Sequence, residues 1–274
     1  MNALSHPILA LTAAVLLYAL ATCGLLAGLM RQSRGWIGAG LVFGILAAML
    51  HASLLLTEMH LIGGLNADFF AALSLVSFVV VVLLLISSIR LPLLEILPIA
   101  FAGAALMLML KGLIGPEPLP LQVEHRLLEV HIIASVLAYG VLSISAINAL
   151  FISLQHNILH RHLRSNLLDV LPPLATMEAL LFQLILVGWI LLTLGLGSGV
   201  VFIEGMFAQH LAHKTILSIL AWLIFGLLLF GRYRYGWRGM RVVRLCLLGM
   251  AVLLLAYFGS KAVLELLLDR RWQA

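Results

Sequence analysis

Charged side chains are scarce in this chain of 274 residues: they make up 10% of it, against about 25% in an ordinary globular protein. Hydrophobic residues reach 64%, and the mean hydropathy is +1.17. A water-soluble core cannot hide so large an apolar excess. The composition therefore excludes a soluble globular domain and predicts a protein that is dissolved in a lipid bilayer.

Cysteine is also scarce, since only Cys23 and Cys246 occur, far apart and without a C-x-x-C pair. This excludes disulfide exchange as the chemistry of the chain. The sequence also lacks the phosphate loop G-x-x-x-x-G-K-[ST], the G-x-S-x-G elbow, a dinucleotide fingerprint and the zinc motif H-E-x-x-H. We therefore expect neither ATP-driven transport by this chain nor hydrolysis, and no enzyme activity.

Long apolar runs are what the chain has instead. A helix that crosses a bilayer needs about 20 apolar residues, and the runs lack the alternating pattern of a barrel. The predicted fold is all-α: a polytopic integral membrane helix bundle of about eight transmembrane helices, in a single domain covering 1–274. The predicted spans are 7–30, 36–56, 67–87, 93–110, 127–154, 174–196, 214–230 and 242–268.

Clusters of Gly, Pro and polar residues mark the predicted connections. Among them, the glycine run at Gly195, Gly197 and Gly199 is expected to end the sixth span. The predicted connections are 31–35, 63–68, 114–120, 155–173 and 195–209.

Basic residues are distributed unevenly between the two sets of loops. Ten of the sixteen Lys and Arg residues follow the first, third, fifth and seventh spans. Because positive residues near span ends are retained in the cytoplasm, both termini are predicted to lie outside. The net charge of +5 then needs no nucleic-acid partner. The richest run, RYRYGWRGMRVVR at 232–244, is interpreted as a topology determinant that contacts anionic lipid, or alternatively as a docking surface for a partner.

Histidines gather in or beside the predicted outer half of the spans. His51 lies near the outer end of the second span, and His131 lies at a comparable depth in the fifth. At about 100° per residue, Glu124, His131, Ser135 and Tyr139 fall on one stripe of the fifth helix. A polar stripe on a membrane helix is expected to face protein or a cavity instead of lipid.

A second histidine pair, His210 and His213, opens the seventh span and shares one helix face. Two histidines without a carboxylate or thiolate make only a partial zinc site, whereas haem iron needs one or two axial imidazoles. The pair is therefore a candidate for haem ligation. The alternative is an interfacial cap in which both rings touch water.

Three sequence motifs occur in order along the chain: H-x7-Y in HIIASVLAYG, L-P-P-L-x-x-x-E in LPPLATME, and H-K-T-x-L-S-x-x-A-W in HKTILSILAW. Their order and spacing resemble the cytochrome c assembly family, the polytopic haem-handling proteins of the CcsA and CcmC type, and within it the YpjD-like branch. The resemblance covers about 51–268. It implies haem as the cofactor, a multi-pass location in the bacterial inner membrane, and His131 and His51 as the likeliest iron ligands.

The chain departs from the haem-delivering members of the family in three places. The L-H-x-R that ends a helix in many relatives reads LFGR at 229–232, the later histidine is absent near 259–261, and one loop differs. Their tryptophan-rich W-G-x-x-W-x-W-D signature is replaced here by VVFIEGMFAQHLAHKT, which contains no tryptophan. Stacking aromatic side chains are what hold a flat porphyrin.

Three functions follow from these observations. The leading hypothesis is a haem-binding or haem-handling protein of cytochrome c assembly. In it, Glu124 or Tyr139 orients His131 through its second ring nitrogen, and Lys214 or Arg126 meets a propionate. The second is a cofactor-free accessory or regulatory subunit, for example of an ion transporter, and the third is a secondary transporter. The expected partners are membrane lipids and other membrane proteins of cytochrome assembly or ion transport.

Overall fold

The structure, a computed structural model, describes residues 5–115, 120–121, 126–161, 170–202 and 209–259. Within these ranges, eight helices are long and apolar enough to cross a membrane, which confirms the predicted all-α polytopic class. Extended structure in the same ranges is limited to one antiparallel pair of two-residue strands, Leu65–Asn66 (β1) and Pro120–Leu121 (β2). The orientation of the termini and the single domain over 1–274 stay predictions.

The first compact unit comprises Met1–Gln122 and Ser165–Leu171. A Cβ atom on Gly24 would lie 3.1 Å from the Cα of Gly40, so the first two helices of this unit pack backbone against backbone. Small residues allow this close approach between membrane helices. The described helices of the unit are α1 (Ser5–Arg31), α2 (Arg34–Ile62), α3 (Phe69–Ser87) and α4 (Leu97–Ile114), with a 3₁₀ turn at Leu94–Ile96 before α4.

Local side-chain chemistry sets the helix ends in this unit. The Asp68 carboxylate accepts hydrogen bonds from the backbone N–H groups of Phe70 and Ala71 at 2.7 and 3.1 Å, which caps α3. Gly63 ends α2 in the left-handed conformation, with φ 71°, and its N–H donates to the carbonyl of Met59. These caps fix where the helices of the first unit begin and end.

The second compact unit comprises Val123–Arg164 and Pro172–Ala274. A Cβ atom on Gly188 would lie 2.5 Å from a methyl carbon of Leu142, so the first two helices of this unit also pack closely at a glycine. The described helices of the unit are α5 (Arg126–His160), α6 (Leu174–Phe202), α7 (Gln209–Tyr235) and α8 (Met240–Leu254), followed by a π-helical turn at Leu255–Gly259.

Two of the predicted connections are wrong at their first residues. The connection predicted at 155–173 begins too early, because α5 continues to His160. The glycine run predicted to end the sixth span lies inside α6, which continues to Phe202. A glycine costs a helix about 1 kcal/mol relative to alanine, and tertiary packing readily overrides that cost. In this run the packing is the contact that Gly195 and Gly199 make with α5.

Candidate functional site

His131 lies in the second turn of α5 and is half-buried. Its Nδ1 atom is 2.8 Å from the carbonyl oxygen of Gly195 on α6. A carbonyl only accepts, so Nδ1 of the neutral ring carries the proton and donates it, and Nε2 keeps its lone pair. Among the residues that the structure describes, none forms a hydrogen bond with Nε2. The ring therefore presents one unprotonated nitrogen that can bind a metal.

The glycines of α6 make room for this histidine. A Cβ atom on Gly199 would lie 3.2 Å from the Cε1 of His131, and one on Gly195 would lie 3.0 Å from the Oγ of Ser135. Nothing lies within 4 Å of the Cβ position of Gly197, which is between them in the sequence. Two of the three glycines are thus needed for the approach of α6 to the His131 side of α5.

Tyr139 does not take the orienting role that the sequence predicted for it. Its hydroxyl donates to the carbonyl of Leu253 at 2.6 Å, and its ring packs against Tyr257 and Phe258 at 6.2 and 5.7 Å between centroids. Tyr139 lies eight positions after His131, so at 100° per residue the two side chains point about 80° apart around the helix. His131 consequently faces α6, while Tyr139 faces the end of α8 and the π-helical turn that follows it. The group that orients His131 is the Gly195 carbonyl.

Several predicted site residues stay predictions. Glu124 lies outside the described residues. His210 and His213 lie in the helical backbone of α7, and their side chains are also outside the described part. The ammonium of Lys214 is 5.8 Å from the centroid of the Tyr257 ring, and Arg126 is exposed at the first position of α5.

His51 is completely buried in the first unit. Its Nδ1 is 3.3 Å from the hydroxyl of Tyr18 on α1, and its Nε2 is 3.0 Å from the Oγ of Ser74 on α3. The ring of Phe78 packs against it with centroids 5.1 Å apart. One ring nitrogen donates and the other accepts in either tautomer, so both are occupied. An iron ligand at this position would first have to give up one hydrogen bond.

Sequence reasoning missed the ion pair beside β1. The Glu58 carboxylate on α2 pairs with the Lys111 ammonium on α4 and accepts a hydrogen bond from the side-chain amide of Asn66 at 2.7 Å. The sequence indicated that such a pair could form, because charged residues near the ends of apolar spans are expected to find partners. The partner itself depends on which helices pack together, and the sequence pattern does not give that packing.

The L-P-P-L-x-x-x-E motif has a structural role in the second unit. Its Glu178 accepts a hydrogen bond from the N–H of Gly239 at 2.9 Å, at the residue before α8. Arg232, at the end of α7, lies 4.7 Å above the centroid of the Phe182 ring and donates to the carbonyl of Trp237 at 3.4 Å. Glu178 of the motif and Phe182, one helical turn beyond it, thus hold the turn between α7 and α8 in place.

The described ranges contain no group of three or more His, Cys, Asp or Glu side chains that converge as metal ligands. A haem is less demanding, because its porphyrin supplies four ligands and the protein adds one or two. A histidine such as His131 could therefore contribute to a haem site without such a cluster.

The chain is a multi-pass membrane protein, and the sequence model of the family described as Cytochrome C assembly protein matches residues 9–268. It belongs to that family. The inner membrane protein YpjD of Escherichia coli K12 is 32% identical over 265 residues, covering 95% of this chain and 99% of the relative. This relative agrees with the predicted location in the bacterial inner membrane.

A second relative covers part of the chain. The uncharacterized 28.8 kDa protein in the nifR3-like 5' region of Azospirillum brasilense is 33% identical over 143 residues, covering 52% of this chain and 53% of the relative. No solved structure matches the chain.

Proposed function

We propose that the protein binds haem as a haem-handling membrane protein of cytochrome c assembly, in which Nε2 of His131 would hold the iron. The hydrogen bond from Nδ1 to the Gly195 carbonyl carries this proposal. Histidines that bind metals almost always donate their other N–H to a carbonyl, carboxylate or water, because this bond fixes the tautomer and raises the basicity of the ligating nitrogen. Membership of the cytochrome c assembly family supplies the class of ligand.

The donor set fits an iron porphyrin. His131 would offer an imidazole nitrogen, and His210 and His213, in the same unit, are the candidates for a second iron ligand. Lys214 and Arg126 are the cations for the propionates. Haem would supply the iron centre. The proposed role of the protein is to bind haem and hand it on, without catalysis.

A cofactor-free accessory or regulatory subunit on the same scaffold is the second candidate. The observation that favours it is the surroundings of His51, whose two ring nitrogens already bind Tyr18 and Ser74. A scaffold that uses this histidine to join three helices has one ligand fewer for a cofactor.

The absorption spectrum of protein purified after haem supplementation tests the proposal. We expect a Soret band, and His131→Gly should weaken haem retention by about ten-fold or more, in line with the loss of an axial ligand. Imidazole added to the variant should restore the band, because a free ligand can occupy the space of the missing ring. His156→Gly, an exposed position in the same helix, is the matched control and should keep the band.

A Soret band that His131→Gly leaves at full strength contradicts the ligand assignment. A folded wild-type protein that stays colourless after supplementation favours the cofactor-free subunit.

A further inference from the structure

The turn between α7 and α8 carries several exposed arginines that form no salt bridge within the described part of the chain. We define the basic turn as residues 232–244. The structure describes all of it, and no carboxylate there or elsewhere in the described ranges forms a salt bridge with its exposed arginines. These exposed arginines are Arg234, Arg238, Arg241 and Arg244. Their combined charge is exposed and is not neutralised by any carboxylate of the described ranges.

The backbone of the basic turn is held in one shape. Gly236 and Gly239 have φ values of 66° and 68°, a left-handed conformation that favours glycine. Glu178 is the one carboxylate of the described residues that forms a hydrogen bond with the turn, and it accepts the N–H of Gly239 at the start of α8. Arg232 is held on the ring of Phe182. A backbone fixed in this way loses little conformational freedom of its own when a ligand binds.

Aromatic side chains accompany the arginines. Tyr233 and Tyr235 are 92% and 66% exposed, and the ring of Tyr235 stacks on Trp237 at 6.5 Å between centroids. The guanidinium of Arg241 lies 5.4 Å from the centroid of the Trp237 ring. Tyrosine and tryptophan concentrate at the level of the lipid headgroups. The basic turn therefore combines cations with the side chains typical of the membrane interface.

An apolar surface continues from this turn along α7. Leu227 and Phe230, in the last turns of that helix, are 51% and 55% exposed. A ligand with a phosphate and hydrocarbon chains would place the phosphate at the arginines and the chains beside these two residues. An acidic segment of a protein would leave the exposed apolar side chains uncovered.

We propose that the basic turn is a binding site for the phosphate of anionic phospholipid headgroups. Guanidinium groups suit this ligand because their planar fork matches phosphate oxygens. The site selects lipids by the net charge of the headgroup, with Arg238 and Arg241 at its centre.

Native mass spectrometry of the detergent-solubilised full chain tests the proposal. The protein is titrated with phosphatidylglycerol and with phosphatidylcholine of the same acyl chains, and retained lipid is counted. We expect selective retention of phosphatidylglycerol. The double variant Arg238→Gln/Arg241→Gln should weaken it about thirty-fold, since each basic residue near an anionic surface accounts for about a five-fold change.

The control variant Arg90→Gln/Arg161→Gln removes the same charge at two other exposed positions and should change retention by less than about two-fold. The variant Arg238→Lys/Arg241→Lys keeps the net charge of the wild type. Its retention of phosphatidylglycerol should fall by about three-fold or less. An equal loss in the control variant would overturn the proposal, because it would show that bulk charge attracts the lipid.

Two further results would also overturn it. Equal retention of the two lipids would show that headgroup charge is not recognised. Displacement of phosphatidylglycerol by millimolar glycerol 3-phosphate or by a polyglutamate peptide would assign the site to a soluble phosphate or to an acidic protein segment.

Discussion

His51 and His131 both lie in long apolar helices, but their rings have different surroundings. His51, in the first unit, is fully buried and has a side-chain partner at each ring nitrogen, Tyr18 and Ser74. His131, in the second unit, is half-buried, and its described hydrogen bonds involve Nδ1 alone. The first ring joins three helices through side chains, while the second is held from one side by a backbone carbonyl.

The comparison shows that the hydrogen bonding of the second ring nitrogen decides whether a histidine in a membrane helix can bind a ligand. A ring that is bonded at both nitrogens contributes to packing and to the pairing of helices, because moving it leaves two hydroxyl groups without partners. A ring that is bonded at one nitrogen is oriented and still has a lone pair to offer. The two histidines should therefore respond in opposite ways to substitution, one mainly in stability and the other mainly in ligand binding.

The largest expected effect is on stability. His51→Ala should lower the free energy of unfolding by about 3 kcal/mol, because it leaves a cavity and removes the hydrogen-bond partner of the buried hydroxyls of Tyr18 and Ser74. SDS titration of the haem-free protein in mixed micelles, followed by circular dichroism, measures this change. His131→Ala should cost about 1 kcal/mol or less. If both variants are equally stable, the contrast between the two histidines is removed.

The next effect concerns ligand binding in the second unit. Gly199→Val should reduce haem retention about ten-fold relative to Gly197→Val, because the added side chain meets the His131 ring at Gly199 and open space at Gly197. Both substitutions place the same β-branched residue in the same helix, so the propensity cost cancels. Haem titration followed at the Soret band gives the ratio. Equal retention by the two variants would mean that the ring tolerates displacement.

The overall fold was predictable because its main determinant is local. An apolar run of bilayer length predicts a membrane helix without knowledge of its neighbours, and the eight spans were found in this way. The errors occurred where packing overrides local preference. Gly195, Gly197 and Gly199 were predicted to end a helix, but the helix continues because two of these glycines are packed against another helix.

The candidate site was only partly predictable. His131 and Ser135 fall on the predicted stripe, and both lie against glycines of α6. The group that orients His131 is a backbone carbonyl, which every residue carries, so no sequence pattern distinguishes Gly195. Tyr18 and Ser74 are far from His51 in the sequence, and only the packing of α1 and α3 against α2 brings their hydroxyls to its ring.

A smaller effect separates the two partners of His51. Tyr18→Phe and Ser74→Ala should each lower the free energy of unfolding by about 0.5 to 1 kcal/mol, the usual contribution of a hydrogen bond between membrane helices. The same SDS titration measures both. In the His51→Ala background each further substitution should cost less, since its partner is already gone. Full additivity would show that these hydroxyls do not act through the histidine.

The smallest effect should come from Ser198, whose Oγ is 3.4 Å from the Nδ1 of His131. That hydroxyl already donates within its own helix, to the carbonyls of Leu194 at 2.8 Å or Gly195 at 3.0 Å. Ser198→Ala should therefore change haem retention by about two-fold or less and stability by about 0.5 kcal/mol or less. Haem titration and the SDS assay check both values. A ten-fold loss of haem would mean that the hydroxyl, and not the Gly195 carbonyl, fixes the His131 tautomer, and the argument that His131 is oriented by backbone alone would then be wrong.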